Sequence, residues 1–248
     1  MLDIPRLERI RLSRYPLSQR TVGQFLTLNY KLLPGVQIDF EYPERMPREP
    51  VIFAMNHTDR YNYFPFQWRL WKQFNRFTTT WVKGKYYENS LMATFMEKMN
   101  QLPTVSRGYV ITKDFTATCG RTPSDEEYAC LRRWVDSAAQ HVDIQRPQSG
   151  EIPERLLSTA RDVLGHAFDP AREDYASCIN TVFRIMMSRF VALNREAVRV
   201  GLDLLIFPQG TRSLRLLPGH IGISQKIGSP ELREQLRLAL EACETFLV

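Results

Sequence analysis

Two short apolar runs, each followed at once by a polar cluster, constrain the fold of this chain more than any other feature of its sequence. VIFAM, residues 51–55, precedes NHTDRYN, and LDLLIF, residues 202–207, precedes PQGTRS. Short continuous apolar runs are typical of strands buried in a parallel sheet. Ligands bind such sheets beyond the carboxyl ends of the strands. The two polar clusters are therefore the first candidates for a functional site.

The rest of the chain alternates between helical and strand-like patterns, which favours an α/β fold with helices flanking a sheet. Helices are predicted at five places outside the middle of the chain: 21–33, 64–75, 91–100, 183–199 and 231–242. Further strands are predicted over 36–42 and 77–82. Residues 104–110 are predicted to be a strand or its exit loop.

Residues 114–182 differ from the rest of the chain in charge. They contain 12 acidic and 7 basic residues. Helices are predicted over 126–140 and 152–164, so we interpret the segment as a helical insertion. The chain is then divided into a basic N-terminal segment with a membrane-facing helix, residues 1–35, and a main domain, residues 36–248, that carries the insertion.

The positive charge is concentrated in the first half of the chain. The net charge is +6, and residues 1–113 hold 17 lysines and arginines against 9 acidic residues. This excess indicates an anionic partner such as a phosphate or a membrane surface, with a merely solvated basic face as the alternative. No zinc-finger spacing, RNP-like strand or lysine-rich tract is present, which argues against a nucleic-acid partner.

Two further sequence features bear on location and on metals. No run approaches eighteen uninterrupted apolar residues, and the N-terminus lacks the apolar core of a secretory signal. The four cysteines, at positions 119, 130, 178 and 243, form no Cys-x-x-Cys pair. This pattern is typical of free thiols in a reducing compartment, and it predicts neither a disulfide framework nor a metal site.

The first polar cluster contains a histidine directly after a predicted strand. Imidazole is the usual general base near neutral pH, and it needs a polar partner that fixes its tautomer. His57 is the candidate base, and Asp59 and Asn62 are the candidate partners. A purely structural histidine is the alternative interpretation.

The second polar cluster contains the residue types that bind phosphate. Gly210 lets the backbone approach a ligand, Thr211 supplies a hydroxyl, and Arg212 supplies a bidentate guanidinium. A turn that merely uses the same residues is the alternative interpretation of this cluster taken alone.

Taken together, the two clusters resemble the motifs of the glycerolipid acyltransferases, the lysophosphatidic acid acyltransferase or PlsC-like family. FAMNHTDRYN resembles the first family motif, N-H-x-x-x-x-D, and FPQGTRS resembles F-P-E-G-T-R-S. NQLPTVSRG places Arg107 at the arginine of an intermediate motif. The resemblance covers roughly residues 22–113 and 183–227, and residues 114–182 are additional to the family core.

The resemblance implies a mixed sheet flanked by helices and an acyl transfer that needs no cofactor and no metal. A fatty acyl group would move from acyl-CoA or acyl carrier protein to a hydroxyl of a lysophospholipid or glycerol phosphate, in phospholipid biosynthesis or remodelling. His57 would take the hydroxyl proton. The acceptor phosphate would be held by residues of the second cluster and by outlying basic residues: Gln209, Gly210, Thr211, Arg212, Arg107 and Lys83.

This sequence departs from the family motifs at two positions where the family has carboxylates. Asn62 replaces the aspartate of the first motif, and Gln209 replaces the glutamate of the second. Asn62 can still accept the imidazole N–H, and Asp59 is the candidate for the missing charge. The alternative is a catalytically weakened relative that binds lipid or acyl-CoA, or that regulates a partner.

The same resemblance yields expectations about location and about the C-terminus. We expect a cytoplasmic protein, peripheral at the inner membrane face, that docks through residues 6–20 and the helix over 21–33. Five arginines in residues 6–20 suit an anionic surface. The family continues into a further strand, so a C-terminus that is incomplete at Val248 is expected.

Overall fold

The computed structural model describes residues 1–32, 40, 42–55, 63–142, 146–148 and 150–207. The predicted helix over 231–242, and the strand over 36–42 apart from Phe40 and Tyr42, lie outside the described residues. In the described part the chain forms eight α-helices, α1 to α8: Ile4–Arg9, Leu17–Leu32, Tyr63–Phe74, Ser90–Lys98, Arg107–Cys119, Asp125–Gln140, Glu154–Ser158 and Tyr175–Arg199. The same part contains six strands, β1 to β6: Ile52–Ala54, Thr78–Lys83, Gln101–Thr104, Arg161–Val163, His166–Phe168 and Asp203–Ile206.

The chain divides into two compact units that interleave along the sequence. The first unit combines three segments: Met1–Ile10, Lys83–Glu88 and Thr104–Phe190. The second unit consists of Arg11–Val82, Asn89–Pro103 and the residues from Val191 onward. The predicted insertion, residues 114–182, lies wholly within the first unit.

The second unit is built on a four-stranded parallel sheet with the strand order β1, β6, β2, β3. β6 pairs with β1 from Leu204 opposite Ile52 to Ile206 opposite Ala54, and β2 pairs with the other side of β6. The sheet and its flanking helices confirm the predicted α/β class. The four strands of this sheet run parallel, so the expectation of a mixed sheet is not met by them.

The two apolar runs of the sequence differ in burial. All four residues of β6 are buried, as expected for a strand with neighbours on both sides. β1 lies at the end of the described sheet, where Ile52 and Phe53 are half-buried and Ala54 is exposed. The prediction of a buried strand is therefore confirmed for β6 and wrong for β1, because its apolar run resembles that of an interior strand.

Helices cover both faces of this sheet, because side chains on the two faces of β2 contact different helices. Gln67 of α3 donates hydrogen bonds to Thr78 Oγ1 (2.6 Å) and Thr80 Oγ1 (3.2 Å). The indole N–H of Trp81 donates instead to Asn194 Oδ1 of α8 at 2.9 Å. Because successive strand side chains point to opposite faces, α3 and the end of α8 lie on opposite sides of the sheet.

A buried carboxylate at the start of β6 fixes the other end of the sheet. Asp203 is fully buried and forms a hydrogen-bonded ion pair with Arg76, which lies just before β2. Its carboxylate also accepts the Val51 N–H at 2.9 Å, immediately before β1. Burial raises the pKa of the Asp203 carboxyl, although the Arg76 guanidinium and the Val51 amide act in the opposite direction. One side chain thus connects the beginnings of three neighbouring strands.

Replacing Asp203 by alanine should lower the free energy of unfolding by about 3–5 kcal/mol, because it leaves the mostly buried Arg76 guanidinium without its carboxylate. Equilibrium urea unfolding measures this change. Arg172→Ala, which breaks the exposed ion pair with Asp169, is the control and should cost no more than about 1 kcal/mol. Equal losses in both variants would contradict the central role of Asp203.

The first unit is helical, with one small hairpin. Ser106 caps α5 by accepting the Tyr109 N–H, and Ser124 and Glu127 form a reciprocal capping box at the start of α6. β4 and β5 form an antiparallel hairpin whose two-residue turn is Leu164–Gly165, both at positive φ. A buried ion pair joins Arg161 of β4 to Asp114 of α5 at 2.6 and 2.8 Å.

Three predictions of secondary structure in this region need correction. The helix predicted over 152–164 ends at Ser158, and its last residues form β4, because the Leu164–Gly165 turn pairs them with β5. Residues 104–110 contain only the last residue of β3, and α5 begins at Arg107 because Ser106 caps it. The helix predicted from residue 183 begins eight residues earlier, at Tyr175.

Candidate functional site

The carboxyl ends of β1 and β6 form the candidate site in the second unit. The two strands are adjacent, parallel and in register up to Ala54 and Ile206. The pairing extends one residue further, because the Met55 N–H donates to the Ile206 carbonyl at 3.0 Å. The chain then continues from Met55 into NHTDRYN and from Phe207 into PQGTRS. The strand ends that directly precede the two polar clusters therefore lie next to each other at the same edge of the sheet.

Most of the sequence-predicted site residues lie outside the described residues. This holds for the candidate base and its partners and for the second cluster: His57, Asp59, Asn62, Gln209, Gly210, Thr211 and Arg212. The structure thus describes the strands that lead into these residues and the side chains around the strand ends. Their roles stay predictions.

Aromatic side chains surround the strands that lead into the two clusters. The ring of Phe53 in β1 lies 4.8 Å from that of Phe66 in α3, and Phe40 lies 5.5 Å from Phe66 and 5.7 Å from Phe74. We call these four residues the aromatic cluster. Sequence reasoning missed it, although three of its members stand in the aromatic-rich stretches IFAM and YFPFQWRLWKQF.

One aromatic contact links the start of α3 directly to the end of β6. The Tyr63 ring lies 5.9 Å from the Phe207 ring, in an edge-to-face arrangement. Tyr63 follows the first polar cluster in the chain, and Phe207 precedes the second. The described residues that flank the two clusters thus contact each other.

Helix α2 holds α3 in place through close packing. The Trp68 indole N–H donates to Thr27 Oγ1 at 2.9 Å, and the Tyr30 ring lies 5.2 Å from the Trp68 ring. A Cβ atom at Gly23 would lie 2.7 Å from the Trp71 ring, so only glycine allows this approach of the two helices. Helix α3 is therefore fixed between α2 and the sheet.

The second unit also exposes apolar side chains on two contacting helices, α2 and α4. The exposed residues lie within an arc of roughly 100° or less on each helix, since a helix turns about 100° per residue. On α2 they are Leu17, Phe25 and Leu28, and on α4 they are Leu91, Met92 and Phe95. We call these six residues the exposed apolar face. The predicted membrane-facing helix, over 21–33, contributes Phe25 and Leu28, and Leu17 belongs to the turn of α2 that precedes it.

Arg107 lies at the start of α5 and contacts residues of the first unit. Its Nε donates to Asn180 Oδ1 at 2.7 Å, and its guanidinium lies 4.5 Å from the centre of the Phe183 ring. Arg107 Nη1 lies 3.9 Å from Asp136 Oδ1. These contacts join α5 to α6 and α8. The Arg107 side chain, which the sequence assigns to phosphate binding, therefore already has partners within the first unit.

The electrostatic surroundings of Arg107 are mixed. Burial lowers the pKa of its guanidinium, Asp136 raises it, and the neighbouring Arg132 lowers it again. Lys83, the other candidate of the first unit, is the last residue of β2 and is exposed, as is Lys85. Of the two predicted phosphate contacts described by the structure, only Arg107 has clear structural partners.

Arg107→Ala should destabilise the protein by about 1.5–3 kcal/mol, because it removes a charged hydrogen bond and leaves the Asn180 carbonyl without that donor. Lys83→Ala, at an exposed position, should change the free energy of unfolding by less than about 0.5 kcal/mol. Urea unfolding of both variants measures the difference. An Arg107→Ala variant as stable as the parent would show that these contacts contribute little to the fold.

Helix α8 is the one described helix that is long and apolar enough to cross a membrane. It spans 25 residues, and about half of its most apolar stretch is buried within the protein. A core helix has the same properties, so this helix gives only weak support for a membrane span.

Comparisons of the chain with protein-family models, with curated proteins and with solved structures found no match. The resemblance to the glycerolipid acyltransferases therefore depends on the short motifs alone.

Proposed function

We propose that the chain is an acyltransferase of the glycerolipid type, with its reaction centre beyond the carboxyl ends of β1 and β6. The observation that supports the proposal is the register of β1 and β6. The two parallel strands end side by side, and each is followed in the sequence by one of the two motifs. His57 is two residues beyond Met55, and Gly210 is three residues beyond Phe207. Consecutive Cα atoms are about 3.8 Å apart, so the chain itself keeps both segments near this edge.

In the proposed reaction, His57 removes the proton from the acceptor hydroxyl as the oxygen attacks the carbonyl carbon of the acyl thioester. The carbon–sulfur bond then breaks, and the protonated imidazole returns the proton to the leaving thiolate. The products are an ester and a free thiol. Asn62 orients the imidazole, and Asp59 supplies the negative charge that favours its protonated form.

The second cluster binds the acceptor phosphate in this proposal. The backbone at Gln209 and Gly210, the Thr211 hydroxyl and the Arg212 guanidinium match the acceptor oxygens of a phosphate monoester. Arg107 and Lys83 belong to the first unit, where Arg107 already donates to Asn180, and we assign the phosphate to the second cluster alone. The proposed mechanism uses neither a metal nor a cofactor besides the acyl donor.

Two members of the aromatic cluster, Phe53 and Phe66, place apolar contact area beside β1, which suits an apolar substrate. Phe53 is part of β1, the strand that leads into the first polar cluster, and Phe66 packs against it from α3. Aromatic rings of this kind offer large apolar contact areas to an acyl chain.

We further propose that the second unit docks on an anionic membrane surface through its exposed apolar face. Arg11, Arg14 and Arg20 are exposed near the start of α2. Basic residues next to apolar side chains suit the headgroup region, where each adds roughly 1 kcal/mol of attraction. Docking there would give the site access to lipid acceptors.

His57→Ala should lower acyl transfer by about 10²–10⁴-fold, the usual contribution of a general base. The assay follows thiol release from acyl-CoA with a lysophospholipid acceptor. His141→Asn is the control, because His141 is exposed, lies outside the sheet and has a positive φ that asparagine tolerates. A folded His57→Ala protein with unchanged turnover would overturn the proposed mechanism.

The roles of Asp59 and Asn62 are tested by opposite substitutions. If Asp59 supplies the charge, Asp59→Ala should be nearly as damaging as His57→Ala, and Asn62→Asp should bring no gain. A catalytically weakened relative would behave the other way, and Asn62→Asp, alone or with Gln209→Glu, would raise transfer. Initial rates of Asp59→Ala, of Asn62→Asp and of the Asn62→Asp/Gln209→Glu double variant beside the parent chain decide between the two outcomes.

Replacing Leu17, Phe25 and Leu28 together by serine should weaken binding to anionic vesicles at least about tenfold, since each buried side chain contributes roughly 1.5–3 kcal/mol. Co-sedimentation measures the binding, and added salt should weaken it further. The control replaces Val142 and Ile185, exposed apolar residues of the first unit, by serine. Binding that is unchanged in the triple variant would contradict docking through this face.

A further inference from the structure

We propose that His166, Glu173 and Cys178 form a binding site for a divalent transition metal, Zn²⁺ by its chemistry, in the first unit. The ligand atoms of these three side chains all lie within 4.8 Å of one another. His166 Nε2 and Glu173 Oε1 are already 2.9 Å apart. The site is independent of the proposed acyl transfer, which involves none of these residues.

The fold brings the three residues together from separate parts of the chain. His166 is the first residue of β5, and the positive-φ turn at Leu164–Gly165 directs this strand back along β4. Cys178 lies in the first turn of α8, and its N–H donates to the Asp174 carbonyl at 3.0 Å. Glu173 lies in the connection between them, where its N–H donates to the Asp169 carbonyl at 3.1 Å. Backbone hydrogen bonds thus hold two of the three ligands in place.

The donor set matches zinc in type and charge. An imidazole nitrogen, a carboxylate oxygen and a thiolate sulfur are the three kinds of ligand that Zn²⁺ takes from proteins. A thiolate and a carboxylate together balance the two positive charges of the ion. Calcium and magnesium prefer sites made of oxygen atoms alone, so this combination argues against them.

The burial of the three residues leaves a position for a fourth ligand. Cys178 is fully buried, whereas the side chains of His166 and Glu173 are 26% and 22% exposed. The site is therefore closed on the cysteine side and accessible to solvent on the other. Three protein ligands with one position open to water is a common arrangement for zinc.

Nearby charges are compatible with a cation at this place. Arg161 acts electrostatically on the Cys178 thiol, and its guanidinium is bound to Asp114 by two hydrogen bonds. Asp174, next to Glu173, adds further negative charge. A bound cation would thus meet a surplus of negative charge around Cys178.

Sequence reasoning predicted no metal site, because it looked for closely spaced cysteines and histidines. The three residues are separated by six and four positions, which matches no familiar zinc motif. Only the hairpin and the start of α8 make them neighbours. A plain hydrogen bond between His166 and Glu173, with a thiol nearby, is the competing explanation that an experiment must exclude.

The experiment is a Co²⁺ titration of the full chain after treatment with a chelator. Co²⁺ replaces Zn²⁺ in such sites, and a thiolate ligand gives it a near-ultraviolet charge-transfer band together with the visible bands of tetrahedral coordination. We expect both in the parent chain, and we expect added Zn²⁺ to abolish them. Cys178→Ser should remove the charge-transfer band, and Glu173→Gln should weaken Co²⁺ binding at least about 10–100-fold.

The matched control carries serine at the other three cysteines, 119, 130 and 243, and should keep the full spectrum. Circular dichroism of Cys178→Ser, a nearly isosteric change, verifies that this variant folds. A parent chain without the charge-transfer band would overturn the proposal. A band that persists in Cys178→Ser, or that disappears in the control, would assign the metal to other cysteines and would overturn it as well.

Discussion

The ion pair between Asp203 and Arg76 is the interaction on which the sheet of the second unit depends. A fully buried carboxylate is unfavourable unless it is paired and hydrogen-bonded, and Asp203 achieves both through Arg76 and the Val51 amide. These contacts fix where β1, β2 and β6 begin. Because the strands start together and run parallel, the register at their far ends follows, and Ala54 and Ile206 end side by side before the two motifs, at one edge of the sheet. The chemistry proposed for that edge therefore depends on a charge at the opposite end of the strands.

The sequence predicted the elements whose signals are local and missed those that depend on distant partners. Helix α3, helix α6 and strand β6 could be predicted from hydrophobic spacing and from capping residues close in the chain. The exposure of β1 could not, since burial depends on which strand becomes its neighbour. Strand β4 was mistaken for the end of a helix because the turn that pairs it with β5 is encoded in only two residues.

The candidate sites, too, could be predicted only where they depend on residues close together in the sequence. The two polar clusters could be recognised because each directly follows a strand, and their adjacency could be guessed from the rule for parallel sheets. The place of Arg107 among Asn180, Asp136 and Phe183 could not be foreseen, because its partners lie far along the chain. The same is true of His166, Glu173 and Cys178. Contacts of this kind can be found only from the fold, because the short motifs of the sequence do not include the partner residues.

Our central proposal is that the residues following β1 and β6 catalyse acyl transfer to a phosphate-bearing lipid. The most direct measurement is mass spectrometry of the products formed by the full chain from a mixed pool of acyl-CoA and acyl carrier protein donors with lysolipid acceptors. The account predicts new ester products on acceptors that carry a phosphate, with much less product on neutral acceptors. A pool that remains unchanged, or transfer that ignores the phosphate, would contradict it.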